Sequence, residues 1–186
     1  MNKVQMRQKM LARSSSLSEK EQRICDERIF QGLVSLAEYK EAKRVFVYIS
    51  VGKEVSTEAI MEKLFADGKE VNVPLCFGKG KMEAHRINSK DELKPGRYGI
   101  PEPDKDSDCT EITDIDFIIV PGVAFGEDGS RLGRGGGYYD RFMTLAKNAK
   151  KVALCREISL EKTVPCEKHD QFVDIVVTEK RIIKIR

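Results

Sequence analysis

Apolar positions along the chain alternate between helical and extended patterns. Residues 1–13 can form a short basic helix. Ser18-Glu19-Lys20-Glu21 reads as a capping box, in which Ser18 and Glu21 serve each other's backbone N–H groups. Ile24, Cys25, Ile29, Leu33, Leu36 and Ala37 follow at helical spacing, which predicts one amphipathic helix over 18–39. Residues 45–49 are a β-branched and aromatic run, the mark of a buried strand. Helix returns over 57–67, with Ile60, Met61, Leu64 and Phe65 on one face and Gly68 as the stop. Residues 71–74 and 82–86 are further strand candidates. Residues 88–113 are polar and hold Pro95, Gly96, Gly99, Pro101 and Pro103, which predicts a long structureless connection of a kind that is often functional. Residues 117–120 are another buried strand, ended by Pro121-Gly122. A glycine-rich loop follows, then a helix over about 137–147 and strands at 151–154, 175–177 and 181–185.

Strand and helix alternate, so the expected fold is α/β: a three-layer α/β/α sandwich with a mostly parallel central sheet and an N-terminal helical extension. No linker divides the chain. It is read as a single α/β domain over 1–186, with the helices of 1–40 packing on the sheet.

Composition narrows the function classes. At 186 residues the chain can bury a core without disulfides or structural metal. Its 34% charged and 40% hydrophobic residues fit a soluble globular protein. The net charge of +3 is too mild to imply nucleic-acid binding. The basic excess is local, because residues 1–23 carry six basic side chains against two acidic ones. Five scattered cysteines without a Cys-x-x-Cys pair read as reduced thiols, and Cys166-x-x-His169 has the spacing of half a metal site but lacks the other half, which argues against a structural zinc. No apolar run approaches the roughly 20 residues that span a bilayer. The acid-free first 18 residues also have the make-up of a transit peptide. A phosphate-binding use for them, given below, makes a cytoplasmic protein with no membrane partner the expectation.

The chemistry concentrates in residues 125–141. The stretch leaves a buried strand and runs into a helix, the place where ligands bind in open α/β sheets. Gly133, Gly135, Gly136 and Gly137 leave no side chains to hold a ligand off the backbone. The next helix aims its free N–H groups and positive dipole end at the loop. Arg131 and Arg134 add guanidinium forks suited to phosphate. A hydrogen bond to a charged group contributes roughly 1.5–3 kcal/mol against roughly 0.3–1 for the dipole, so the arginines dominate. Neither the Walker A nor the Rossmann glycine spacing is present. By position alone, Asp140 either caps the helix or holds Mg²⁺ beside phosphates, and Tyr138 and Tyr139 either enter the core or stack on a ring.

Arg131-Leu132-Gly133-Arg134-Gly135-Gly136-Gly137-Tyr138-Tyr139-Asp140-Arg141 resembles the signature of the 5-formyltetrahydrofolate cyclo-ligase family, also called methenyltetrahydrofolate synthetases. The likeness spans nearly the whole chain. It includes Lys3 and Arg7 in the basic helix, Ile49 and Glu54 around the first strand, Gly99-Ile100-Pro101-Glu102-Pro103, and His169-Asp170 with Val173-Asp174. The resemblance implies ATP binding by Lys3, Arg7, Arg131, Leu132, Gly133, Arg134, Gly135, Gly136, Gly137, Tyr138 and Tyr139. It implies folate binding by Ile49, Glu54 and Tyr98 with Arg134, Gly135, Gly136, Gly137 and Tyr138. It places Mg²⁺ on Asp140 and Asp170 and makes Arg134 the catalytic residue. The implied reaction is ATP-dependent cyclisation of 5-formyltetrahydrofolate to 5,10-methenyltetrahydrofolate by a monomer. That chemistry needs no side-chain nucleophile, which leaves His85 and His169 either as structural residues or as supports behind the residues that touch ligand. Two rivals remain at this level. One is another ATP- or sugar-phosphate-binding enzyme on a similar sheet. The other is a single-strand RNA binder, which the lone arginine–glycine unit and the mild charge disfavour.

Overall fold

In the computed structural model the described residues are 1–78, 80–96 and 99–185. Tyr98, expected beside the folate, lies outside them. The helices are α1 (Lys3–Ser15), α2 (Glu19–Ser35), α3 (Ala37–Glu41), α4 (Glu58–Ala66) and α5 (Tyr138–Leu145). The strands are β1 (Arg44–Val47), β2 (Glu70–Phe77), β3 (Lys81–Ile87), β4 (Lys94–Pro95), β5 (Pro101–Glu102), β6 (Cys109–Thr110) and β7 (Phe117–Val120). They continue as β8 (Ala124–Gly126), β9 (Arg131–Leu132), β10 (Lys150–Leu154), β11 (Leu160–Glu161), β12 (Ile175–Val177) and β13 (Ile182–Lys184).

Eight strands form the main sheet in the order β13-β12-β10-β7-β1-β2-β3-β6. The inner run β12-β10-β7-β1-β2 is parallel, and β13, β3 and β6 join it antiparallel. Period-two alternation sends neighbouring side chains to opposite faces. Val45 and Val47 face a core with Ile29, Leu33, Tyr39, Ile60 and Leu64 from α2, α3 and α4. Phe46 faces the other core, where it stacks on Phe142 of α5 with ring centroids 4.2 Å apart. The fold is therefore the expected α/β/α sandwich with a mostly parallel sheet. Each large side chain fully buried in these layers contributes roughly 1.5–3 kcal/mol.

Chain order reverses about the β1–β7 pair. From β1 the chain winds outward through β2, and from β7 it winds the other way through β10 and β12. The carboxyl ends of β1 and β7 thus diverge at a topological switch point, where a crevice opens.

Four local expectations change. The helix predicted over 18–39 breaks at Leu36, which is extended at φ −61 and ψ 136. The break lets both Leu36 and Tyr39 reach the core, and Tyr39 donates its hydroxyl to Asp67 at 2.9 Å. Apolar spacing is preserved across it, so periodicity does not reveal it. The second strand runs on through Pro74 to Phe77, because pairing with β1 ends at Asn72 and no neighbour on that side needs the missing N–H. Residues 88–113 are not structureless: they hold β4, β5 and β6, with β4 and β5 paired antiparallel. The stretch 125–132 is a β8–β9 hairpin in a small sheet with β11, which confines the loop itself to 133–137.

Candidate functional site

The switch point supplies one wall. Beyond β1 the chain passes through Tyr48, Ile49 and Val51 to Glu54, and beyond β7 it turns at Pro121-Gly122. All six line a cavity of about 580 Å³. The turn carrying Glu54 is held from beneath. Tyr48 donates its hydroxyl to Val55 O at 2.7 Å, and Thr57 donates its own to Tyr48 O at 2.8 Å. Arg156, 4% exposed, grips Asp26 of α2 through Nε (2.8 Å) and Nη2 (2.9 Å) and donates to Lys53 O and Glu54 O.

The glycine loop supplies the second wall. Gly135 sits at φ +106 and Gly137 at φ +67, where side chains are strained, so the glycines are needed to make this bend before α5. Residues 131–140 all line the cavity. Arg134 reaches across it, with Nη2 2.8 Å from Glu54 Oε1. Glu54 Oε2 accepts Val51 N–H at 2.9 Å, so the carboxylate is aimed by its own turn. Arg131 behaves differently. It is buried, donates Nη2 to Asp140 Oδ2 at 2.8 Å and Nη1 to Pro121 O at 3.2 Å, and lies 5.9 Å from the Tyr139 ring centroid. Its Nε has no protein partner. Tyr138 donates its hydroxyl to Gly78 O at 3.2 Å. The buried Tyr139 hydroxyl has no partner in the protein, and burial pushes that phenol far above its ordinary range.

Helix α1 supplies the third wall. Asn2 and Gln5 cap it reciprocally, and Met6 and Met10 bury against Ala124, Leu132 and Val164. Lys3 and Arg7, one turn apart, therefore face the cavity together. Arg7 donates Nε to Gly133 O at 2.7 Å, which ties α1 to the loop. Lys3 Nζ lies 2.6 Å from Asp170 Oδ2. Burial pushes the Asp170 carboxyl up, but the hydrogen bond from Lys3, that from the Glu167 backbone and the Lys3 charge together hold it below its ordinary range. Asp170 Oδ1 is 3.8 Å from His169 Nε2, beyond hydrogen-bond reach.

Lys3, Arg7, Ile49, Glu54, Asp140, Asp170 and the whole loop 131–139, scattered in sequence, thus meet around one cavity. Asp140 has both oxygens engaged, Oδ2 by Arg131 and Oδ1 by Gln171 N–H at 3.1 Å. Pro74 and Met82 also line the cavity without having been singled out in the sequence, as do Ile100 and Glu102 of the Gly-Ile-Pro-Glu-Pro segment and the Pro121-Gly122 turn, to none of which the sequence assigned a ligand. Nor did it find Asp26 and Arg156, which pin the Glu54 turn. Position at the end of a predicted strand was the available signal for Arg156.

The profile of the 5-formyltetrahydrofolate cyclo-ligase family matches residues 1–179. A Schizosaccharomyces pombe protein named "Probable 5-formyltetrahydrofolate cyclo-ligase" is 35% identical, covering 92% of this chain and 93% of its own. The NMR structure of Aquifex aeolicus 5,10-methenyltetrahydrofolate synthetase superposes with a TM-score of 0.89 at 35% identity, over 100% of this chain and 94% of that one. The Mycoplasma pneumoniae 5,10-methenyltetrahydrofolate synthetase gives 0.78 at 23% identity, over 96% and 99%, a likeness of fold alone. With the family profile matched over residues 1–179 and a relative 35% identical over more than nine-tenths of both chains, the chain belongs to the 5-formyltetrahydrofolate cyclo-ligase family.

Proposed function

We propose that this protein closes 5-formyltetrahydrofolate to 5,10-methenyltetrahydrofolate at the expense of ATP, as a cytoplasmic monomer. The observation that carries the reading is the Arg134–Glu54 pair. It joins the anion-binding loop to the aimed carboxylate across a cavity that Lys3 and Arg7 also face. The formyl oxygen on N5 attacks the γ-phosphorus and ADP leaves. N10 then attacks the formyl carbon and gives up its proton, the phosphorylated oxygen departs as inorganic phosphate carrying that proton, and the five-membered ring is closed. Phosphorylation turns a poor leaving group into a good one.

Phosphoryl transfer asks for positioning and charge neutralisation more than for covalent help. Lys3 and Arg7 hold the polyphosphate from α1, and the loop 133–137 receives it on backbone N–H groups. Glu54, whose second oxygen is fixed by Val51 N–H, accepts the paired N–H donors of the pterin with Oε1. That contact displaces Arg134, whose guanidinium then turns to the transferring phosphoryl group. Ile49 and Tyr138 bound the folate. Arg131 acts from below, setting Asp140 and the Tyr139 ring rather than offering an open fork.

Asp170 and Asp140 would hold Mg²⁺. The donor set fits, since Asp170 is kept anionic and leaves Oδ1 outside hydrogen bonding, while Asp140 must share its charge with Arg131. When bound, the ion supplies further neutralisation of phosphate charge. The test is growth of the methenyl-folate absorbance on mixing protein, 5-formyltetrahydrofolate and MgATP. A flat trace under conditions where the protein is folded would overturn the proposal.

A further inference from the structure

A second group of metal-binding side chains lies on the main sheet, among residues the cyclisation does not use. Glu83 and His85, two apart on β3, point to the same face, and Cys109 of β6 sits directly opposite His85 in the antiparallel register. One ligand atom from each of the three lies within 4.8 Å of the others.

The hydrogen bonds fix how the histidine presents itself. Ser107 donates its single hydroxyl proton to Asp104 O at 2.5 Å. The same Oγ lies 3.0 Å from His85 Nδ1, so it must accept the proton of Nδ1–H. With Nδ1 turned to Ser107, the other ring nitrogen, Nε2, faces Glu83 Oε2 at 3.3 Å. A divalent cation can replace whatever proton lies between these two atoms, because both are metal-ligating atoms. Metal–ligand bonds of about 2.0–2.2 Å at the tetrahedral angle place nitrogen and oxygen roughly 3.3–3.5 Å apart, which the observed pair already satisfies. His85 is held at the back by Ser107 while Cys109 is exposed, so the thiol can turn inward.

We propose that Glu83, His85 and Cys109 form a zinc-type site, with a fourth position open to water. Binding replaces the Cys109 proton with the metal and releases it to solvent. The ion clips the two-residue edge strand β6 to β3 and so anchors one end of the segment whose Ile100 and Glu102 line the folate cavity.

Cobalt(II) is the probe, titrated into metal-stripped full-length protein with excess Mg²⁺ present. The expected result is one tetrahedral, thiolate-ligated cobalt per chain, displaced by zinc, and a melting temperature that rises with zinc. Cys109→Ser should abolish the thiolate band and the thermal shift while leaving the protein folded. Ser107→Ala should weaken binding by about 10- to 100-fold. Cys166→Ser should change neither. A thiolate band that survives Cys109→Ser, one lost in Cys166→Ser, or no tetrahedral cobalt at all would overturn the proposal.

Discussion

Removing the Arg134 guanidinium takes one cation from the glycine loop and leaves Glu54 without its 2.8 Å partner. Arg134 is largely exposed, so the fold loses little. Arg134→Ala is expected to lower kcat on the order of 10²- to 10³-fold with the melting curve unchanged. Single-turnover rates and thermal denaturation check both halves. Arg156 gives the opposite pattern. Its side chain is 4% exposed and pairs with Asp26 at 16% exposure, and breaking a buried pair costs about 3–5 kcal/mol. Arg156→Ala should therefore shift the denaturant midpoint strongly and raise KM for folate through the slackened Glu54 turn. A variant of full stability with an altered folate KM would argue that Arg156 touches ligand directly. Arg134 was legible in the sequence because its motif is local. Arg156 was not, because its partners lie 130 and 102 residues away.

Helix α1 is joined to the rest by two methionines, the Arg7–Gly133 bond, the pairs of Lys3 with Asp170 and Glu167, and the pairs of Lys9 and Arg13 with Glu161. Deleting residues 1–8 removes both cavity-facing cations and is expected to raise KM for ATP much more than KM for folate. Equal effects on both would argue against a phosphate role for Lys3 and Arg7. The pH window of the docking follows from the shifts in these pairs, in which Glu161, lowered chiefly by its bond from Lys9, behaves as Asp170 does. Asp170 is lowered, so its contribution is present above the ordinary carboxylate range and fades as pH falls through the depressed value. Lys3 is raised: burial pulls it down, but bonds to Asp170 and Glu167 and their charges outweigh this. Its contribution is complete below the ordinary lysine range and fades as pH rises through the elevated value. Protease cleavage within residues 1–15 should therefore stay slow across neutral pH and accelerate only in strong acid or strong base. The break at Leu36 and the pairing of β4 with β5 show what element-level pattern misses. Apolar spacing continues through the first, and the second depends on a partner strand six residues on rather than on its own two residues.

For the whole molecule, the proposed reaction predicts that the cavity couples its two ligands through the Arg134–Glu54 contact. Folate that takes Glu54 frees Arg134 for phosphate, so each ligand should tighten the other by the same factor. Calorimetric titration of ATP with and without a bound 5-formyltetrahydrofolate analogue measures that factor. It should fall toward one in Glu54→Gln, where an amide holds the guanidinium less strongly. Coupling unchanged in that variant would detach Glu54 from the exchange.

Sequence alone determined the sandwich, since alternation of period two and helical period is a local property that burial on two faces of a sheet enforces. It also determined the bend, because positive φ at Gly135 and Gly137 selects glycine at those positions. Only the tertiary structure decided which arginine is free. Arg131 and Arg134 are three residues apart and chemically alike, yet the β8–β9 hairpin buries the first against Asp140 and leaves the second reaching across the cavity to Glu54. Burial and charge pairing between distant segments are set by how layers stack, and no window of the chain contains that information.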